Sequence, residues 1–64
     1  MTLGERMLQY RARKRISRSV LAYKLGEHIN TIYRVENGIH KPHRVNELRL
    51  TQKMDKLEEK ENEL

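Results

Sequence analysis

Residues 17–38 read SRSVLAYKLGEHINTIYRVENG, and this stretch decides the fold. Leu21, Ala22 and Leu25 give a first short helix an apolar face at helical spacing. Ala22, four residues before Gly26, is small enough to let a second helix cross close above it. Gly26 accepts the positive φ that ends the first helix sharply. Ile32 and Val35 lie one turn apart and lock the second helix onto the first. Ile29, Asn30, Tyr33 and Arg34 are then left pointing outward.

Two helices joined by a tight turn, with the outward face on the second, is the helix-turn-helix layout, whose outward face enters a DNA major groove. With its surroundings the stretch resembles the lambda-repressor-like family, which includes phage Cro proteins, phage repressors and xenobiotic-response-element regulators. The matching residues are Leu3-Gly4-Glu5-Arg6, Ser17, Leu21-Ala22, Lys24-Leu25-Gly26, Asn30-Thr31-Ile32 and Arg34-Val35-Glu36-Asn37-Gly38, followed by Pro42. The resemblance covers roughly residues 3–54. Its specificity lies in the joint register, since each residue alone is a weak signal.

Working outward, Thr2 caps a helix expected over about Leu3–Lys14, with Glu5 completing a capping box. Leu3, Met7 and Tyr10 share its inner face, and Arg13-Lys14-Arg15 make a basic end favourable near a helix C-terminus. The family often has glycine where Arg15 stands, which implies either a left-handed arginine or a different turn. Ser17 caps a second helix over about Arg18–Leu25. A third is expected over about Ile29–Glu36; its cap position holds His28, a poorer cap than the Ser or Thr usual in the family. Asn37-Gly38 stops it, and a loop from Ile39 to Pro42 is expected to bury Ile39.

The remainder departs from the family. Val45, Leu48, Leu50 and Met54 match apolar family positions in a fourth helix, but no Gly or Pro follows Pro42. QKMDKLEEKENEL is rich in helix formers, so one long helix is expected over about Arg44–Glu61. The expected fold is all-α: a four-helix bundle over residues 1–54, with residues 55–64 as an acidic helical extension. Leu50, Met54, Leu57 and Leu64 form a partial heptad-like stripe interrupted at Glu61. Leu50, Met54 and Leu57 either pair with their copies in a homodimer or precede a solvated acidic end; the seam is short for an independent coiled coil.

Composition bounds the function. Sixty-four residues make one domain, in which a small core buries only about 60% of the unfolded surface, so a partner chain would add stability. There is no cysteine, hence neither a disulfide framework nor a Cys-based zinc site. The start, MTLGERMLQYRARKR, has no long apolar run, so neither a secretory signal nor a membrane span is expected, and a cytoplasmic location follows. Charge is unevenly placed. Residues 1–44 hold ten Lys/Arg against three Asp/Glu, +7, and residues 45–64 four against six, −2, which together give the net +5. The positive part coincides with the helix-turn-helix, and a polyanion partner is expected there.

For base contact, the Asn30 amide suits adenine N6 and N7, and Arg34 suits guanine O6 and N7 or a phosphate. Ile29 packs either on a thymine methyl or on the turn, and Tyr33 reaches phosphate or sugar. Phosphate contact is expected from Ser17, Arg18, Thr31, His40, Lys41 and Arg44, with Arg13, Lys14 and Arg15 as neighbours. Arg18 stands where the family typically has a phosphate-binding Gln. Thr31 has an alternative bond to its own helix. The resemblance further implies that Arg11 and Glu36 form a partly buried ion pair tying the first helix to the third.

His40 and His43 have a His-x-x-His spacing without a third ligand nearby, so no metal is expected. Neither a nucleophile elbow nor a phosphate loop is present, and the domain is too small for an ordinary substrate pocket. No enzyme, cofactor or small-molecule ligand is expected. The resemblance implies a Cro-like repressor of a phage or mobile element, binding double-stranded DNA as a dimer in a bacterial or phage-infected cell. The alternative is a DNA-binding or antitoxin-like subunit whose C-terminal helix binds another protein.

Overall fold

The computed structural model of the chain describes residues 1–39 and 43–62, the Asn62 side chain excepted. The described residues form four α-helices and no strand: α1 Leu3–Lys14, α2 Arg18–Leu25, α3 Ile29–Asn37 and α4 Arg44–Asn62. The molecule measures 35 × 22 × 22 Å.

Each boundary has a local cause. At α1 the Thr2 hydroxyl accepts from the Glu5 N–H at 3.1 Å and the Glu5 carboxylate accepts from the Thr2 N–H at 3.4 Å, a complete capping box. The helix ends at Arg15, which is left-handed (φ 55°, ψ 46°), so the arginine tolerates the conformation a glycine would adopt freely. Ser17 caps α2 by accepting from the Val20 N–H at 3.2 Å. Gly26, at φ 66°, closes that helix and lets the chain turn into α3. His28 serves as the cap of α3 after all: its Nδ1 accepts from the Asn30 N–H at 3.1 Å. Gly38 ends α3 at φ 63°.

The core consists of Met7 and Tyr10 from α1, Leu21, Ala22 and Leu25 from α2, Ile32 from α3, and Leu50 and Met54 from α4. Leu3, Ile16, Val35 and Leu57 pack around it, half-buried. At about 25 cal/mol per Å² of apolar surface, such a core gives a domain of this size a small net stability.

Two expectations fail here. Leu50 and Met54 are not a dimer seam. Both are completely buried inside the single chain, because α4 lies back across α1 and α2 and spends its stripe on its own core. Leu57 joins that packing as a half-buried neighbour, and α4 runs unbroken through residue 54. The apolar side chains that α4 leaves in solvent are instead Val45, 78% exposed, and Leu48, 58% exposed. Ile39 is exposed rather than buried, since the turn after Gly38 carries it away from the core.

Candidate functional site

α2 and α3 together present the face that the sequence singled out. Ile32 is buried and Val35 half-buried, so α3 rests on the core by one stripe and offers the opposite one. Asn30, Tyr33 and Arg34 are all exposed there, and Ile29 is 42% exposed at the start of the helix. Thr31 is half-buried and turned partly inward. Asn37, at the far end, donates its side-chain amide to the Tyr33 carbonyl at 2.8 Å, stiffening the last turn.

The flank towards α2 is built more tightly. Ser17 lies at the N-terminus of α2, its hydroxyl engaged in capping and 2.9 Å from that of Ser19. Arg18, one residue on, donates from Nε to the Glu36 Oε1 at 2.9 Å. Its guanidinium carbon stands 5.0 Å from the centroid of the Tyr33 ring, a cation–π contact between helices. A phosphate-contact candidate and a base-contact candidate are thus joined in one stack.

Glu36 organises this corner. Only 1% of its side chain is exposed. Besides Arg18 it accepts from Arg11 Nε at 2.7 Å and Arg11 Nη2 at 2.9 Å. Arg11 and Glu36 therefore pair as the resemblance implies, with Arg18 as a third member that sequence reasoning did not place there. The Arg11 guanidinium is held above its ordinary pKa by the hydrogen bond to Glu36, which outweighs its desolvation.

The remaining carboxylates of residues 1–44 are also engaged. Glu5 is spent in the capping box. Glu27, in the turn between α2 and α3, receives Arg49 at 3.1 Å and also Lys53, both from α4. That cluster fixes the turn against the long helix. Consequently no acidic side chain faces out from α3. Arg15, Arg34 and Arg44 are exposed and make no ion pair with another described residue. Arg34 thus sets an uncompensated positive charge on α3 beside Asn30 and Tyr33.

His40 and Lys41, the two loop candidates for phosphate contact, lie outside the described residues, while His43 and Arg44 beyond them are exposed. On the other side of α1, an open polar groove of about 320 Å³ is lined by Arg13, Lys14, Glu58 and Glu61. All four are held in ion pairs: Glu58 to Arg13 at 3.6 Å and to Arg6 at 2.8 Å, Glu61 to Lys14 at 3.1 Å. Two of the basic residues expected beside phosphate are therefore compensated within the chain.

Two residues already named in the sequence have tertiary contacts that sequence reasoning did not supply. Gly4 matters because α3 passes directly over it; its place in the resemblance and in the first turn of an otherwise strong helix was the signal. Tyr10 is a core residue whose hydroxyl also donates to Glu61, a pairing across 51 residues that no local pattern reveals. No helix among the described residues is long and apolar enough to cross a membrane. No protein-family model, no curated protein and no solved structure matches this chain.

Proposed function

We propose that the chain is a sequence-specific double-stranded-DNA-binding transcription regulator of the lambda-repressor-like kind its sequence resembles, acting as a Cro-like repressor. The observation that carries this reading is the outward face of α3. Asn30, Tyr33 and Arg34 are exposed side by side, without a carboxylate among them, on a helix whose other side is fixed to the core. An amide and a guanidinium at the start and middle of such a helix have the hydrogen-bonding capacity to read adenine and guanine in the major groove. The exposed Arg15 and Arg44 add positive charge available to the DNA backbone.

In this reading a dimer sets two copies of α3 into successive major grooves about 34 Å apart and blocks a promoter by occupying it. Because Leu50 and Met54 are internal, the second copy has to meet another surface. Val45 and Leu48, one turn apart on the exposed side of α4, are the apolar residues available there. A protein partner gripping the acidic end of α4 is the weaker reading, since Asp55, Glu58 and Glu61 are already paired with α1.

The deciding experiment is selection of random duplexes by the purified chain, followed by sequencing. A symmetric motif with half-site centres about 10 bp apart is expected. Asn30→Ala and Arg34→Ala should then each weaken the selected site by about 1–3 kcal/mol while leaving random duplex nearly unaffected. An unenriched pool at moderate salt overturns sequence reading by the isolated chain.

A further inference from the structure

Beyond the core, the last turns of α4 meet α1 through charge. Asp55, Glu58 and Glu61 recur every three residues and form a ridge along one side of the helix. Facing them, Arg6, Arg13 and Lys14 share one side of α1. The two ridges mesh in register: Arg6 with Asp55 at 2.8 Å and with Glu58 at 2.8 Å, Arg13 with Glu58 at 3.6 Å, Lys14 with Glu61 at 3.1 Å. The Tyr10 hydroxyl fastens Glu61 from below.

We propose that this acidic ridge is an internal substitute for nucleic-acid phosphate, occupying the cationic ridge of α1 and so withholding a second polyanion-binding surface. The inference rests on the nucleic-acid reading above. Three carboxylates within about 9 Å of helix approach the charge density of a DNA strand, one phosphate per about 3.4 Å. The pairing is also displaceable. Asp55 and Arg13 are each 58% exposed, and ion pairs in contact with water are individually weak and screened by salt. A duplex brings a denser line of charge and gains the release of its counterions, which an intramolecular carboxylate does not. The ridge thus biases polyanions away from α1 and towards α3, lowering affinity for arbitrary sequence without touching the reading face.

A purely mechanical brace makes a different prediction: neutralising it lowers stability but leaves the salt dependence of DNA binding unchanged. The test therefore measures affinity of the full chain for a 30-bp duplex of arbitrary sequence across a salt series, using about 50–200 mM salt. The triple variant Asp55→Asn/Glu58→Gln/Glu61→Gln should bind at least tenfold tighter at the low end, with a log–log salt slope steeper by about 2–3. Adding Arg6→Gln/Arg13→Gln/Lys14→Gln should return the slope to that of the parent. Circular dichroism establishes that each variant keeps its helices. Should the triple variant unfold, Glu58→Gln is read instead, with Glu59→Gln, an exposed neighbour without an ion pair to another described residue, as the charge-matched control. Only Glu58→Gln should steepen the slope, by about 1. A folded variant with the parental slope, or equal effects of Glu58→Gln and Glu59→Gln, overturns the proposal. If the parent selects a site and these slopes stay equal, only this inference falls. If neither parent nor folded variant binds any duplex, both readings fall. If only the variant binds, the withheld surface stands and sequence reading by the parent falls.

Discussion

Gly4 and Val35 are in direct backbone contact where α1 crosses α3. A Cβ placed on residue 4 would collide with the Val35 carbonyl oxygen, and would stand 3.1 Å from the carbonyl carbon and 3.2 Å from the Glu36 Cα. In an ordinary helix, Gly→Ala stabilises by about 1 kcal/mol. Here the two helices have to move apart, and Gly4→Ala is expected to destabilise by roughly 1–3 kcal/mol. Urea unfolding of the variant decides it; a stability equal to or above that of the parent would remove the close crossing.

The same crossing places Glu36 beneath α1, where it accepts from Arg11 and Arg18. Glu36→Gln leaves two arginines competing for a neutral acceptor. Breaking a fully buried pair costs about 3–5 kcal/mol, and because both arginines reach water, roughly 2–3 kcal/mol is expected here. That is a large share of the roughly 3–10 kcal/mol available to a domain of this length, so a broad or missing thermal transition is expected in calorimetry. A loss below about 0.5 kcal/mol would match an exposed pair and contradict its burial.

Leu50 separates a core residue from a dimer residue. Its side chain is wholly buried within one chain. Leu50→Ala should cost about 2–4 kcal/mol through lost burial and a residual cavity, and that loss should not depend on protein concentration. A loss that grows on dilution would put Leu50 back in an interface between chains. Val45→Ser, by contrast, should leave monomer stability within about 0.5 kcal/mol.

Tyr10 makes the fold sensitive to alkali. Burial, then the hydrogen bond to Glu61 and its negative charge, push the phenol up to about 12. Its folded value lies above the unfolded one of about 10, so its contribution is complete below pH 10 and is lost as pH rises through 12. Between pH 9.5 and pH 12 the parent should lose on the order of 1–2 kcal/mol more than Tyr10→Phe, as read from urea midpoints. Parallel pH profiles would show that the phenol titrates freely. In the acid limb, the same hydroxyl and Lys14 hold the Glu61 carboxyl below its ordinary range, so that link persists until pH falls below the usual carboxylate values.

The helices were legible because their signals are local. Thr2 with Glu5, Ser17, Gly26 and Gly38 act within four residues of themselves and set the boundaries of α1, α2 and α3 without reference to the rest of the chain. The spacing of Leu21, Ala22, Leu25 and Ile32 likewise contains its own partner, since α2 and α3 are adjacent in sequence and short turns leave them one way to pack. The outward position of Asn30, Tyr33 and Arg34 follows from that packing.

What only the tertiary structure decided concerns contacts between distant segments. The stripe of Leu50, Met54 and Leu57 suits a second chain or its own core equally well by periodicity, and the return of α4 across α1 and α2 chose the core. Arg18 carries the same charge whether it faces phosphate or Glu36, and the packing of α2 against α3 brought Glu36 within its reach. By sequence the end of α4 suits a dimer seam or a solvated acidic tail, yet the fold lays its carboxylates along Arg6, Arg13 and Lys14. Periodicity specifies which side of a helix is apolar and which is charged; it does not specify what covers that side, because the covering residues lie tens of positions away and their approach is fixed only when the whole core closes.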